Sequence, residues 1–219
     1  MMRQICIVIL WLGIAILCMS CQKQQKSQLQ VTPQKSTDIL QLTLHSYDGK
    51  TECKNFIQAY GHTFLEMTNL TNHPIDVYQY SVAPHASVTF SWWAVDRHMG
   101  IWFNLEPWYI DLYQRYETRS SVSIYIDEND LMTINTYMKE NDRYSPFDNC
   151  SKMSLTCFNL VAEAQEKITM PLITTPNYVV SQLNQFKECV VAKPISSYGE
   201  IGYRTKTGFQ FYHMEEREK

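Results

Sequence analysis

Apolar and polar residues alternate along the chain from Thr37 to about residue 126. Successive side chains of a strand point to opposite faces of a sheet, so this period of two is typical of half-buried strands. The pattern predicts strands at Asp38–Ser46, Tyr60–Asn69, Ile75–Ser81, Ser87–Trp92, Ile101–Leu105 and Ser120–Ile126. Turn residues between the second and third of these strands predict that the two form a β-hairpin. We therefore expect the first two-thirds of the chain to be mostly sheet.

Helical spacing replaces this alternation after residue 126. Asp127 predicts the N-cap of a short helix, and an apolar stripe over Cys150–Ile168, closed by Pro171, predicts the longest one. Thr175 and Pro176 predict the start of another helix, and the glycine- and aromatic-rich tail predicts a terminal strand pair. We expect one α+β domain over residues 37–219, with an antiparallel sheet packed on the long helix.

The first twenty residues predict an export signal. Arg3 precedes an unbroken apolar run from Ile5 to Leu17, and such a run of 13 residues is shorter than the roughly 20 that a membrane-spanning helix needs. The Ser20-Cys21 junction resembles the lipobox of bacterial lipoproteins, which implies that Cys21 is acylated and anchors an exported protein to a membrane of the cell envelope. A plain signal peptide and an uncleaved N-terminal anchor are the alternatives, and both also place the domain outside the cytoplasm.

The residues that follow predict a tether and limit the partners. Residues 21–36 are mostly polar, with many Gln and Lys, a composition that favours a flexible linker. The formal net charge of −3 gives no basic surface for nucleic acid. No His-x-x-x-His or Cys-x-x-Cys spacing occurs after the predicted export signal, so we predict neither a metal site nor a cofactor. We expect a monomer whose partner is the membrane.

Four cysteines remain in the folded part if Cys21 carries lipid. In an oxidising compartment they allow three disulfide connectivities, and Cys53 with Cys189 is the favoured bridge. Cys157 lies on the apolar stripe and is expected to be a buried core residue. Cys150 follows Asn149 at a helix start, where unpaired N–H groups and the helix dipole stabilise a thiolate. The sequence therefore predicts that Cys150 is a reactive thiol.

A histidine near that thiol would complete a hydrolytic site. His62 follows Gly61 at the start of a predicted strand, and the start of the helix supplies N–H groups that could face an oxyanion. The remaining histidines, namely His45, His73, His85, His98 and His213, have no partner pattern. Glu66 is expected to be solvated on the face of His62. The aromatic residues Trp92, Trp93, Trp102, Phe103, Trp108 and Tyr109 are expected to be mainly core.

Two short segments resemble one protein family. Gly61–Met67 (GHTFLEM) and the later Tyr144–Ser151 (YSPFDNCS), which leads into a helix, resemble the circularly permuted branch of the papain-like fold. That branch includes permuted NlpC-type cell-wall peptidases and lecithin:retinol acyltransferase-like proteins. Its histidine strand precedes its Asn-Cys helix, as in this sequence, and the stretch Gly100–Glu106 is also similar to a segment of bacterial members. The resemblance covers roughly residues 40–186 and implies a permuted papain-like fold.

The same resemblance implies roles for individual residues. Cys150 would be the nucleophile and His62 the general base of a cysteine peptidase, amidase or acyltransferase that forms a thioester intermediate. A third, polar residue would orient the imidazole from the next strand. Folding the predicted hairpin sets Phe64 opposite Gln79, which makes Gln79 that residue, although a register shift of one would replace it with a neighbouring tyrosine.

Two further residues, Asn149 and Tyr144, are expected to line the oxyanion side of the cleft. The expected location and the resemblance together suggest peptidoglycan peptides as substrates. The competing hypothesis is a lipoprotein that keeps the fold as a binding or structural module without turnover.

Overall fold

A computed structural model describes residues 30–49, 61–113, 118–145, 147–195, 199–205 and 207–213. The strands in these ranges are β1 (Leu40–Tyr47), β2 (His62–Asn69), β3 (Ile75–Val77), β4 (Tyr80–Val82), β5 (Ser87–Val95), β6 (His98–Phe103), β7 (Ser120–Ile126), β8 (Val190–Val191), β9 (Gly202–Thr205) and β10 (Gly208–Phe211). The helices are α1 (Leu105–Tyr113), α2 (Glu128–Glu140), α3 (Cys150–Val161) and α4 (Pro176–Leu183).

Eight of these strands form one antiparallel sheet in the order β10-β9-β6-β5-β2-β1-β7-β8. Helix α3 packs across the central strands β1, β2 and β5, and α2 packs on α3. The predicted α+β class and the antiparallel sheet packed on the Cys150 helix are confirmed. The terminal strand pair is also confirmed, as β9 and β10.

The two faces of the sheet differ in chemistry. On the face toward α3, residues such as Leu44, Leu65 and Phe90 are fully buried in the main apolar core. The opposite face has a smaller aromatic cluster around Phe64 and Trp102, which Leu105 and Tyr109 of α1 cover. Since side chains alternate between faces along each strand, the remaining residues of this second face are polar and still buried, among them Thr43, His45, Glu66, Thr89, Ser91 and Ser121.

The helix starts follow the sequence signals. The side chain of Asp127 accepts hydrogen bonds from two backbone N–H groups and completes a capping box at the start of α2. Asn149 caps α3, and Thr175 caps α4 with Pro176 in its first turn. All three boundaries are determined locally and agree with the prediction.

The predicted hairpin between residues 60–69 and 75–81 is wrong. Strand β2 pairs with β1 on one side and β5 on the other, whereas β3 pairs with β4 in a separate two-stranded sheet. Nearly all residues of β2 are buried, so its backbone N–H and C=O groups have to pair with a neighbouring strand at each edge. The three-residue β3 is too short to pair along β2. A central β2 therefore replaces the expected hairpin arm.

Two helices also differ from the prediction. Helix α3 ends at Val161 rather than near Pro171, because Ala162 adopts an extended backbone conformation. Ile168 still reaches the core, held by two hydrogen bonds between its backbone and the side chain of Asn159, at 2.6 and 2.9 Å. Helix α1 was not predicted at all and covers part of the second face.

The N-terminal part of the described chain lies against the domain. Val31 packs on the main core and its N–H donates to Glu188, while the N–H of Thr32 donates to Glu166. The docked part of the chain thus begins earlier than the predicted end of the tether. The predicted export signal, Cys21 and Cys53 lie outside the described residues. Within those residues, no helix is both long and apolar enough to cross a membrane.

Candidate active site

Cys150 is the first residue of α3 and lies half-buried directly after its N-cap. The Asn149 side chain accepts from the N–H of Lys152 at 3.1 Å and donates to the carbonyl of Thr174, also at 3.1 Å, which fixes the start of the helix. The charge of His62 and hydrogen bonding to His62, Ser151 and the backbone of Thr63 all lower the pKa of the Cys150 thiol. The thiol is therefore held by donors suited to a negative charge.

His62 reaches Cys150 from the first position of β2. Gly61, which precedes it, lies so close to β1 that a Cβ would be 2.2 Å from the Tyr47 carbonyl oxygen, so the strand can enter here only with glycine. The imidazole is 6% exposed, and its Nε2 lies 3.1 Å from Oε1 of Glu106. The Cys150 thiol also acts on the ring and raises its pKa. The ring also packs against Trp93, with centroids 4.3 Å apart.

Glu106 is the acidic partner of His62 and was not predicted from the sequence. It lies in the first turn of α1, is fully buried, and accepts three hydrogen bonds from side chains. The donors are His62, the indole of Trp93 at 2.9 Å and the hydroxyl of Thr89 at 2.7 Å. Glu106 therefore holds the imidazole in one orientation.

A local signal for Glu106 does exist in the sequence. An acidic residue followed by Pro107 is typical of the first turn of a helix, where a proline costs no hydrogen bond. That signal predicts the helix but not its contact with a residue 44 positions earlier.

The pKa values of the pair move in opposite directions. Burial disfavours the charge on both groups, but the Cys150 thiolate and Glu106 outweigh it and raise the pKa of His62 from 6.5 to about 9. For Cys150, burial raises the pKa, while the His62 charge and the three hydrogen bonds lower it by more, so the net pKa is lowered. The opposite directions of the two shifts favour a thiolate–imidazolium pair over a neutral thiol and a neutral imidazole.

The structure does not place Gln79 beside His62. Gln79 is exposed in the turn between β3 and β4, with a φ of 72°. Phe64 pairs with His45 of β1 and not with Gln79. The prediction of Gln79 as the third residue is therefore wrong, because it assumed a strand register that does not occur. Glu106, and not Gln79, contacts the imidazole of His62.

The two residues expected on the oxyanion side lie near the thiol but differ in use. The amide of Asn149 is engaged on both sides in capping α3. Tyr144 is half-buried, and burial followed by the nearby Cys150 charge raises the pKa of its phenol. Tyr144 thus lies within electrostatic reach of the sulfur, whereas Asn149 acts on the helix start.

An apolar rim borders the start of α3. Phe147 is 74% exposed, and Leu172 and Ile173, in the loop whose Thr174 accepts from Asn149, are 96% and 62% exposed. Large side chains left in solvent on two adjoining loops mark a surface that meets an apolar group.

A second histidine–carboxylate pair lies in the sheet. Nε2 of His45 is 3.2 Å from Oε2 of Glu66, and Nδ1 is 2.8 Å from the hydroxyl of Ser121. Glu66 is only 2% exposed, so its predicted solvation is wrong, as is the absence of a partner for His45. His98 also has an acidic partner, with Nε2 3.0 Å from Oδ1 of Asp142.

The remaining cysteines are structural or unpaired. Cys157 is fully buried, as predicted, and burial raises the pKa of its thiol. Cys150, Cys157 and Cys189 are free thiols. The part of the chain that the structure describes holds no group of three or more His, Cys, Asp or Glu side chains arranged to bind a metal ion.

Comparisons with known proteins give no relatives. No protein-family model matches the chain, and neither a curated protein nor a solved structure is similar to it. Function therefore has to be argued from the geometry of Cys150, His62 and Glu106.

Proposed function

We propose that this protein is an extracytoplasmic cysteine hydrolase with a circularly permuted papain-like fold, anchored to a membrane through Cys21. The observation that carries the proposal is the contact between a thiol at a helix start and a buried imidazole whose other nitrogen is held by Glu106. A nucleophile, a base and a group that orients the base are the parts that covalent acyl transfer requires.

The arrangement supports a two-step reaction. The Cys150 thiolate attacks the carbonyl carbon of an amide or ester, and His62, protonated in the resting state, gives its proton to the departing amine or alcohol. A thioester to Cys150 remains. Neutral His62 then takes a proton from water as the water oxygen attacks the thioester carbonyl. The carbon–sulfur bond breaks, the acid is released, and the Cys150 thiolate and the His62 imidazolium of the resting state are restored.

Each neighbouring group has a role in this cycle. The donors on the sulfur from Thr63 and Ser151 stabilise the thiolate before attack. N–H groups in the first turn of α3, which have no partner within the helix, would donate to the oxyanion that forms on the attacked carbonyl. Glu106 keeps the proton-bearing ring aligned and stabilises its charge in the protonated state. It is a positioning residue, because it acts through His62.

The substrate class follows from the expected location and from the family resemblance. An exported enzyme of this kind meets peptide amides of the cell wall, so peptidoglycan peptides are the first substrates to test. The apolar rim of Phe147, Leu172 and Ile173 would contact a nonpolar part of such a substrate.

The test uses the reactivity of Cys150 as a readout that needs no substrate. Alkylation of the protein by iodoacetamide should be faster at Cys150 than at Cys189 at pH 7, because burial raises the pKa of the Cys189 thiol. Mass spectrometry of tryptic peptides measures both rates in one sample. Cell-wall peptide fragments then test turnover, with Cys150→Ser as the inactive control.

Equal labelling of the two thiols, together with no hydrolysis of any fragment, would reject the enzyme. The non-catalytic binding or structural lipoprotein would then take its place.

A further inference from the structure

A groove of about 560 Å³ lies outside the site described above. Its walls come from the β3–β4 turn, the start of β6, the end of α2 with the segment after it, and β9. The lining residues are Tyr78, His98, Lys139, Glu140, Asp142, Arg143, Arg204 and Thr205. Neither the reaction nor the packing of the core uses this space.

The groove carries an excess of positive charge in an acidic protein. Three cationic side chains and two carboxylates line it, whereas the whole chain has a formal net charge of −3. One of the carboxylates is already engaged, since Oδ1 of Asp142 accepts from the N–H of Ile101 at 2.7 Å and lies 3.0 Å from Nε2 of His98. The groove therefore presents cations to an incoming anion.

Arg204 is the best defined of these cations. Its guanidinium carbon lies 4.8 Å from the centroid of the Tyr78 ring, and it hydrogen-bonds the phenol of the same residue. Its Nε is shielded from solvent and has no acceptor among the residues that the structure describes. A buried N–H without a partner is unfavourable, so the guanidinium of Arg204 has a donor that the fold leaves unused.

The groove adjoins the region of Cys150. Arg143, which lines it, is close enough to Asp148 to help lower the pKa of that carboxyl, after the hydrogen bonds from Lys152 and Ser145. The next residue, Tyr144, interacts with the Cys150 charge and is held to β6 by a 2.9 Å hydrogen bond from its N–H to the Met99 carbonyl. The segment 142–144 thus connects the groove to the start of α3.

We propose that this groove binds a carboxylate of the substrate, through Arg204 and Arg143. The inference rests on the proposed hydrolase and specifies it: the preferred substrate is an acidic peptide whose free carboxylate lies near the amide or ester that Cys150 attacks. The planar guanidinium groups favour a carboxylate, which they can meet with two parallel hydrogen bonds.

The first experiment measures binding without turnover. The protein labelled with ¹⁵N is titrated with N-acetylglutamate α-methylamide, with N-acetylglutamine α-methylamide or with inorganic phosphate, and the Nε–Hε signal of Arg204 is followed by NMR. We expect the glutamate compound, which has one carboxylate, to bind at least about tenfold more tightly than the neutral glutamine compound, the ratio that a charge-assisted hydrogen bond provides. Arg143→Gln should weaken it about tenfold, and Lys187→Met, which removes an exposed charge outside the groove, should leave it unchanged.

Three results would overturn the proposal: equal binding of the acid and the amide, binding of phosphate in preference to the carboxylate, or an Arg204 signal that no ligand moves. The test requires no variant at Arg204, because it follows the Arg204 signal of the unaltered protein and compares it with Arg143→Gln.

The second experiment joins the groove to the reaction. Peptide substrates with glutamate or glutamine beside the cleaved bond should differ mainly in KM, and Arg143→Gln should remove the difference while kcat stays within about twofold. If Cys150 proves unreactive while N-acetylglutamate α-methylamide still binds, the hydrolase fails and the groove stands as a carboxylate site. If Cys150 is reactive and the two substrates are equivalent, only the groove proposal fails.

Discussion

Two buried histidine–carboxylate pairs lie on the same face of one sheet and yet have opposite properties. His62 meets Glu106 at 3.1 Å and His45 meets Glu66 at 3.2 Å. The ring of Phe64 stacks on both, 5.7 Å from His62 and 4.7 Å from His45. Nevertheless the pKa of His62 is raised to about 9 and the pKa of His45 is lowered.

The surroundings of each pair explain the difference. Burial lowers the pKa of His45, and the positive charges of Arg119 and Lys193 lower it further. Glu66 raises this pKa, but by less than the other groups lower it. His62 faces a second anion instead, the Cys150 thiolate. A carboxylate partner alone therefore does not charge a buried histidine. The third group decides between a structural pair and a reactive one.

Removing each imidazole should give the largest contrast. His62→Ala should lower turnover by about 10²–10⁴-fold, the usual contribution of a general base. It should also slow Cys150 alkylation at pH 7 by about tenfold, since the lost thiolate fraction is only partly offset by a more nucleophilic thiolate. The His62→Ala/Cys150→Ser protein should turn over no more slowly than either single variant, because the two groups act as a unit.

The matched variant His45→Asn should leave Cys150 labelling within about twofold of the original rate and reduce the free energy of unfolding by about 1–3 kcal/mol. Rapid labelling in His62→Ala, or slow labelling in His45→Asn, would contradict the assignment of roles.

The two carboxylates should separate activity from stability. Glu66→Gln leaves Arg119 and Lys193 facing a neutral group and should cost about 3 kcal/mol in urea unfolding, as for other broken buried pairs. Glu106→Gln keeps a hydrogen-bond acceptor for His62 but removes its charge. We expect the pKa of the His62 ring to fall by about one unit and kcat/KM to fall by about tenfold, since one pKa unit corresponds to a factor of ten. The alkaline limb of the pH profile of Cys150 alkylation should then move to lower pH, which a purely structural role of Glu106 would not produce.

The pH dependence should also distinguish the pairs. The folded state disfavours protonated His45, whose pKa lies below the 6.5 of the unfolded chain, so unfolding should take up a proton and stability should fall as the pH drops below about 6.5. In His45→Asn this contribution to the loss of stability in acid should be absent. The difference between the urea unfolding midpoints at pH 5 and pH 7 should therefore be smaller than in the original protein.

For the other ring, NMR titration should give an imidazole pKa of about 9 for His62. In Cys150→Ser the value should be lower, because the thiolate charge is gone. An unchanged His62 pKa in that variant would show that Glu106 alone holds the charge.

The smallest effect is expected at Gln79. Asparagine tolerates the positive φ of this exposed turn, so Gln79→Asn should change neither Cys150 labelling nor turnover by more than about twofold. A loss comparable to that of Glu106→Gln would instead restore Gln79 as the residue that orients His62.

The sequence by itself determined the features that depend on near neighbours. Asp127, Asn149 and Thr175 bond to N–H groups two or three residues away, so the helix starts and the position of Cys150 follow from short segments. The period of two likewise located most strands of the sheet, including the one that begins at His62.

Only the tertiary structure decided which of these elements meet. The placement of β2 between β1 and β5, and with it the error at Gln79, depends on pairing between segments far apart in the chain. The partners Glu106 and Glu66 are chosen in the same way, across 44 and 21 positions. A buried polar group bonds to whichever partner the assembled sheet brings within hydrogen-bonding distance. A local sequence pattern does not show which residues from distant segments come that close. The proposed site therefore combines a thiol and an imidazole that the sequence indicates with a carboxylate that becomes visible only in the fold.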